Sequence, residues 1–246
     1  NTTGDHFRTR ITHSLEVAQI ARTLSKFFNL NEDLSETLSL AHDLGHTPFG
    51  HAGEEVLNNK MKGKGGFNHN FQALKILTVL EKKYLDFDGL NLTFETLDGI
   101  LKHNGPVTSV VPSYIQSFID FFGAKKKNQG SFEAQIAAIC DDIAYNNNDI
   151  DDGLYAGFFE IEELNELELV KEALKKINLK KSKEYRRVKY ELIRKLINIM
   201  VDDLIRNIKQ NIKNFKIKNC NEILELNRPL VIFSDEMINK EKKLKV

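Results

Sequence analysis

Apolar residues recur every three or four positions along most of the chain, the spacing of helices with one buried face. Val17, Ile20, Ala21, Leu24 and Phe28 form the first such stripe, and Thr12 or Ser14 is placed to cap its helix. Leu34, Leu38 and Ala41 form the next, opened by Asn31, running into His42 and ending near Gly45. Thr47-Pro48 reads as the cap and first turn of a third helix, which Gly63, Gly65 and Gly66 stop. Asn68 opens a fourth with Phe71, Leu74 and Leu77 inward, and Thr93 a fifth that ends at His103-Asn104-Gly105-Pro106. Ser131 caps a helix through Ile136, Ile139, Cys140 and Ile143. Residues 183 to 218 carry one long amphipathic pattern: Val188, Leu192, Leu196, Ile199, Ile208, Ile212, Phe215. Only Leu230-Val231-Ile232-Phe233, after Pro229, reads as a strand. With no internal repeat or linker, the expectation is an all-α helical bundle, residues 1–246 forming a single domain with a long C-terminal helix.

Composition narrows the class. The chain has 246 residues, 41% hydrophobic and 28% charged, with a formal net charge of +0. That balance gives no global electrostatic attraction to nucleic acid or membrane. Cys140 and Cys220 are too few for a disulfide framework, which favours a reducing compartment and a cytoplasmic location. No apolar run reaches the roughly 20 residues of a membrane span, and the first residue is Asn1 rather than Met, as in a piece of a longer protein.

The histidines change the picture most. His6, His13, His42, His46, His51, His69 and His103 all lie in the first 103 residues. Three of them fall in His42-Asp43-Leu44-Gly45-His46-Thr47-Pro48-Phe49-Gly50-His51, which carries little apolar surface and several backbone breakers. Such a stretch reads as a site. His6 alone reads as an ordinary surface or core histidine.

Imidazole nitrogens beside carboxylate oxygens suit Mn, Fe, Co, Ni or Zn, and Mg where oxygen dominates. His42 and Asp43 are adjacent, so on a helix they point about 100° apart and can share an ion only at a seam with other segments. His13 is the available nitrogen donor. Asp141 is the available oxygen donor, a carboxylate on an otherwise apolar face beside Cys140 that needs a partner. The alternative is that Asp141 faces solvent with Asp142.

Arg10-Ile11-Thr12-His13-Ser14-Leu15-Glu16-Val17 and the 42–51 stretch resemble the HD-domain metal-dependent phosphohydrolases. Phe67-Asn68-His69-Asn70, Lys102-His103-Asn104-Gly105-Pro106 and Asp141-Asp142-Ile143-Ala144-Tyr145 narrow the likeness to the deoxyguanosine triphosphate triphosphohydrolase branch, the dNTP triphosphohydrolases. The motifs run in order through residues 8–157, the metal core; the likeness weakens over 158–246, a helical extension. Members usually extend beyond both ends seen here.

The resemblance implies hydrolysis of a deoxynucleoside 5′-triphosphate to deoxynucleoside and tripolyphosphate, with one divalent ion, Mn or Mg, as cofactor. His13, His42, Asp43 and Asp141 match the family's metal ligands. His46 and His51 match positions facing the α-phosphate, and His51 with Glu54 matches an acid–base pair. His69 matches another histidine near the phosphates, and Arg10 a phosphate-contacting arginine. Tyr145 and Asp149, spaced to share a helix face with Asp141, match residues that hold the deoxyribose. Asn148 departs from the pattern, standing where relatives commonly have histidine. Homo-oligomers, and nucleotides or single-stranded DNA as regulators, are also implied.

Other readings stay open: an HD phosphohydrolase acting on a nucleoside monophosphate, a cyclic dinucleotide or a stringent-response nucleotide, or a non-catalytic nucleotide-sensing module. Residues 141–170 hold ten acids and no lysine or arginine, and beyond 150 read as a solvated face. Lys125-Lys126-Lys127 and Arg186-Arg187 read as solvated basic clusters, although Arg186, Arg187 or Arg194 could reach a phosphate.

Overall fold

A computed structural model describes residues 9–178 and 184–244; His6 and the expected helix start at 183 lie outside them. Among the described residues there are twelve α-helices and no strand, as the hydrophobic periodicity predicts. They fall into two compact units. One holds the chain up to Ala138 together with Ile217–Leu230, and the other Ile139–Lys216 with the residues from Val231 onward.

In the first unit, α1 (Arg10–Phe27) and α2 (Glu32–Ala41) form a hairpin with small buried residues between them. Ala18, Ala21 and Ser25 on one helix and Ser35 and Ser39 on the other are fully or nearly buried, and Ser25 Oγ lies 2.6 Å from Ser35 Oγ. A 3₁₀ turn (His42–Gly45) follows, then α3 (Gly50–Lys60), α4 (His69–Lys75), a π turn (Ile76–Leu80), α5 (Phe94–Leu101) and α6 (Ser113–Phe122). The long α7 (Phe132–Ala156) begins in this unit. Leu38, Phe71, Leu74, Leu97, Ile100, Ile115 and Ala137 form its core. Gly99 lets α5 approach the Leu38 side chain, whose Cδ2 would lie 2.6 Å from an added Cβ.

The second unit packs α9 (Glu168–Lys175) against α10 (Tyr185–Asn214) and α12 (Asp235–Lys242), with the rest of α7 and the short α8 (Ile161–Leu164). Leu192, Leu196, Met200, Leu204 and Ile208 of α10 are fully buried. The acidic stretch is not simply a solvated face: Leu154, Ile161, Leu169 and Val170 alternate with its carboxylates and are buried. Asp151 Oδ1 pairs with the buried Lys189 Nζ at 2.8 Å.

Three local expectations are corrected. The first helix is capped by Thr9, whose hydroxyl accepts from Thr12 N while Thr12 Oγ1 accepts from Thr9 N at 3.0 Å, a reciprocal capping box. Thr47 does not cap α3. Its hydroxyl donates to Gly50 O at 3.0 Å, and the N-cap position is Phe49, left-handed at φ 67°. Residues 230–233 form no strand, because side chains satisfy their backbone instead of a ladder. Leu230 N donates to Gln135 Oε1 and Asn207 Nδ2 donates to Ile232 O, each at 2.7 Å. Helix α6 and the π turn had no counterpart in the sequence reading. Asn31, Asn68 and Thr93 cap α2, α4 and α5 as expected.

Candidate functional site

The site grows from the break after α2. At Ala41 the α-helix tightens into the 3₁₀ turn His42-Asp43-Leu44-Gly45, which re-aims successive side chains. His42 Nδ1 lies 2.7 Å from Ser39 O, so this nitrogen carries the proton and donates, leaving the Nε2 lone pair for another partner. Nε2 stands 3.5 Å from Asp43 Oδ1. His46 Nε2 lies 3.4 Å from the same oxygen, while Asp43 Oδ2 accepts from Arg10 Nη1 at 3.2 Å. Arg10, the first residue of α1, also donates to Thr47 O at 3.2 Å and ties that helix to the turn. The His13 ring meets His42 edge-on, centroids 5.6 Å apart.

An imidazole lone pair and a carboxylate oxygen are both acceptors, and only a cation or a proton between them makes their approach favourable. The preset tautomer of His42, held by a backbone carbonyl, is the arrangement by which an outer partner aims a metal-ligating histidine. His13, His42 and Asp43 thus offer nitrogen and oxygen donors suited to a divalent metal.

Gly45 couples this turn to the next histidine. A Cβ there would lie 1.9 Å from His69 O and 2.5 Å from Ala73 N, so only glycine lets the turn seat on α4. Gly45→Ala should destabilise the protein by about 1–3 kcal/mol through overpacking against backbone that cannot yield. Urea unfolding measures this, and a variant as stable as the wild type would show that the contact has slack.

His46, His51, Glu54 and His69 form a second group whose ligand atoms lie within 4.8 Å of one another. Glu54 is its hub. Its Oε1 accepts from His69 N and its Oε2 from His69 Nδ1, both at 2.8 Å, with His51 Nδ1 at 3.5 Å from Oε2. Burial pushes the Glu54 carboxyl up, but these N–H groups outweigh it and hold the carboxyl below its ordinary value. Burial, then the neighbouring His69, push the His46 imidazole down to about 4. The His46 and His69 rings stack at 4.1 Å with only 13° between their planes. Lone pairs of parallel stacked rings run side by side and do not converge on an ion about 2 Å from each. The hydrogen bonds to Glu54 suit this group to holding and orienting protons, and the donors around Asp43 could hold a metal.

On α7, Asp141 is half-buried, while Tyr145 and Asp149 are exposed one and two turns further along the same face. Asn148, seven residues after Asp141 on the same helix, is buried. Among the basic residues, Arg187 Nε pairs with Glu184 at 2.7 Å and Arg194 Nη2 with Glu191 at 2.6 Å, at the edge of a cavity of about 600 Å³. Lys126 donates to Gln116 Oε1 at 3.1 Å. Sequence reasoning missed the roles of the Ser39 carbonyl and Gly45, which exist only through tertiary contacts. It read His103 as part of a helix terminator, whereas its ring stacks on His42 at 5.0 Å.

A family model described as HD domain matches residues 10–146. A deoxyguanosinetriphosphate triphosphohydrolase-like protein of Pelagibacter ubique is 53% identical over 251 residues, covering 100% of this chain and 67% of the relative. Proteins of the same description from Parvibaculum lavamentivorans and Brucella anthropi are each 47% identical over 98% of the chain, which spans 63% and 62% of their lengths. The chain therefore spans about two thirds or less of these curated relatives. Among the described residues no helix is long and apolar enough to cross a membrane. With an HD-domain match over more than half its length and relatives this similar, the chain belongs to the HD-domain phosphohydrolase family, among the deoxyguanosinetriphosphate triphosphohydrolase-like proteins.

Proposed function

We propose that the protein hydrolyses deoxynucleoside 5′-triphosphates to deoxynucleoside and tripolyphosphate, with one divalent ion, Mn or Mg, held by His13, His42, Asp43 and Asp141. The observation that carries this reading is Asp43 Oδ1, which lies 3.5 Å from the aimed lone pair of His42 Nε2 beside an arginine open to a phosphate. Two nitrogens and two carboxylates are a donor set that divalent ions of this class take. When bound, the ion supplies Lewis-acid polarisation of the α-phosphate and lowers the pKa of water.

The chain's own residues do the rest. Arg10, with its side chain 53% exposed, offers its guanidinium to a phosphate oxygen. Hydrolysis breaks the bond between the α-phosphorus and O5′, so the departing O5′ needs a proton and the attacking water must lose one. His51 is the group to move that proton: its side chain is 77% exposed and within reach of Glu54, which orients it. Glu54 also fixes the His69 tautomer, presenting Nε2 of that ring toward the phosphates. His46, kept neutral by burial, lines the same side. Tyr145 packs against the deoxyribose, leaving no room for a 2′-hydroxyl, and Asp149 accepts from the 3′-hydroxyl.

Incubating Mn-loaded protein with each of the four dNTPs, with products resolved by chromatography, tests the reading. Deoxynucleoside and tripolyphosphate in equal amounts support it. Orthophosphate or pyrophosphate release, or turnover only of monophosphates or cyclic dinucleotides, overturns it in favour of another HD-domain chemistry.

A further inference from the structure

The turn that ends α5 has no part in the chemistry proposed so far, yet it is anchored at several points. Lys102 Nζ donates to Asp98 Oδ2 at 2.9 Å, with both side chains buried. Gly105, at φ 94°, donates its N–H to Lys102 O at 2.8 Å and closes the turn. Asn104 Oδ1 faces Asn70 Nδ2 at 3.5 Å, and Val107 N donates to Lys126 O at 2.9 Å. A buried Asp–Lys pair is a costly way to stabilise a turn. It does anchor Lys102 at the start of the turn closed by Gly105, and the next side chain in that turn is His103.

The His103 ring is nearly buried and lies face to face with His42, centroids 5.0 Å apart and planes 28° from parallel. The Nδ1 bond to Ser39 O sets the tautomer of His42. A rotation of the ring about its Cα–Cβ and Cβ–Cγ bonds would swing Nε2 away from Asp43. A flat neighbour against one face, with the His13 edge at 5.6 Å as a second contact, restricts the swing.

We propose that His103 is a positioning residue for metal binding: its ring face holds the His42 imidazole in the plane from which Nε2 meets the ion. The proposal rests on His42 being a ligand. It needs no hydrogen bond between the two rings, so an aromatic face of similar width should substitute for the imidazole.

Calorimetric titration of metal-free protein with Mn²⁺, without substrate, tests this. His103→Ala should weaken Mn²⁺ binding by about tenfold, the lower end of what outer-shell partners contribute. His103→Phe should recover most of that loss, and His103→Leu, which fills volume without a flat face, should bind as weakly as His103→Ala. Far-UV circular dichroism in EDTA checks that each variant folds; if His103→Ala does not, His103→Leu decides. Wild-type affinity in His103→Ala, or equal weakness in the Ala and Phe variants, overturns the proposal. So does a leucine that restores binding as well as phenylalanine. His42→Ala is the control: unchanged Mn²⁺ binding there refutes the ligand reading itself, whereas loss in His42→Ala with none in His103→Ala refutes only the positioning role.

Discussion

Asp43→Ala should abolish both metal retention and turnover while the helices stay folded. The carboxylate is half-buried and serves three partners at once: His42 Nε2 at 3.5 Å, His46 Nε2 at 3.4 Å and Arg10 Nη1 at 3.2 Å. None of the three is a core contact of the helix bundle, so the variant should unfold near the wild-type temperature in EDTA. What it loses is the oxygen around which the nitrogens are arranged. Metal analysis after desalting and a dNTP turnover assay measure the two losses. A stoichiometric ion in Asp43→Ala would show that this oxygen is not a ligand.

The second large effect lies in the neighbouring group and has the opposite signature. His51→Ala should keep the ion and lose roughly 100- to 10,000-fold in rate, the usual contribution of a positioned acid or base. At 77% exposure its side chain has little packing to lose, so stability should hardly change. Glu54→Gln should cost at least as much, because one carboxylate orients His51 and also grips His69 through its backbone and ring nitrogens. Single-turnover rates with metal content measured in parallel separate this class from Asp43→Ala. Normal turnover in the His51 variant would remove it from proton transfer.

Much of this was legible in the residues because the signals are local. Asn31, Asn68 and Thr93 announce their helices through a side chain that caps three residues on, and the apolar stripes give the all-α class. The clustering of histidine with Asp43 marks a site for the same reason. Where several hydroxyls compete, as at Thr9, Thr12 and Ser14, only the fold decides which one caps. Leu230, Val231 and Ile232 have strand propensity but no neighbouring strand among the described residues, and Gln135 and Asn207 bond the backbone of Leu230 and Ile232 instead. The sharing of Glu54 between His51 and His69, the seating of Gly45 on α4 and the stack of His103 on His42 join residues from 15 to 61 positions apart. Spacing along one chain does not encode such contacts.

The proposed hydrolysis depends on two imidazoles and two carboxylates, drawn from distant parts of the chain, gripping a single cation. Equilibrium dialysis of Mn²⁺ against the wild type and Asp141→Asn tests it most directly, since that substitution keeps the side-chain shape and removes only the charge and one donor oxygen. The prediction is one tightly held ion per chain in the wild type and a marked loss of affinity in the variant. Undiminished Mn²⁺ binding by Asp141→Asn would contradict it.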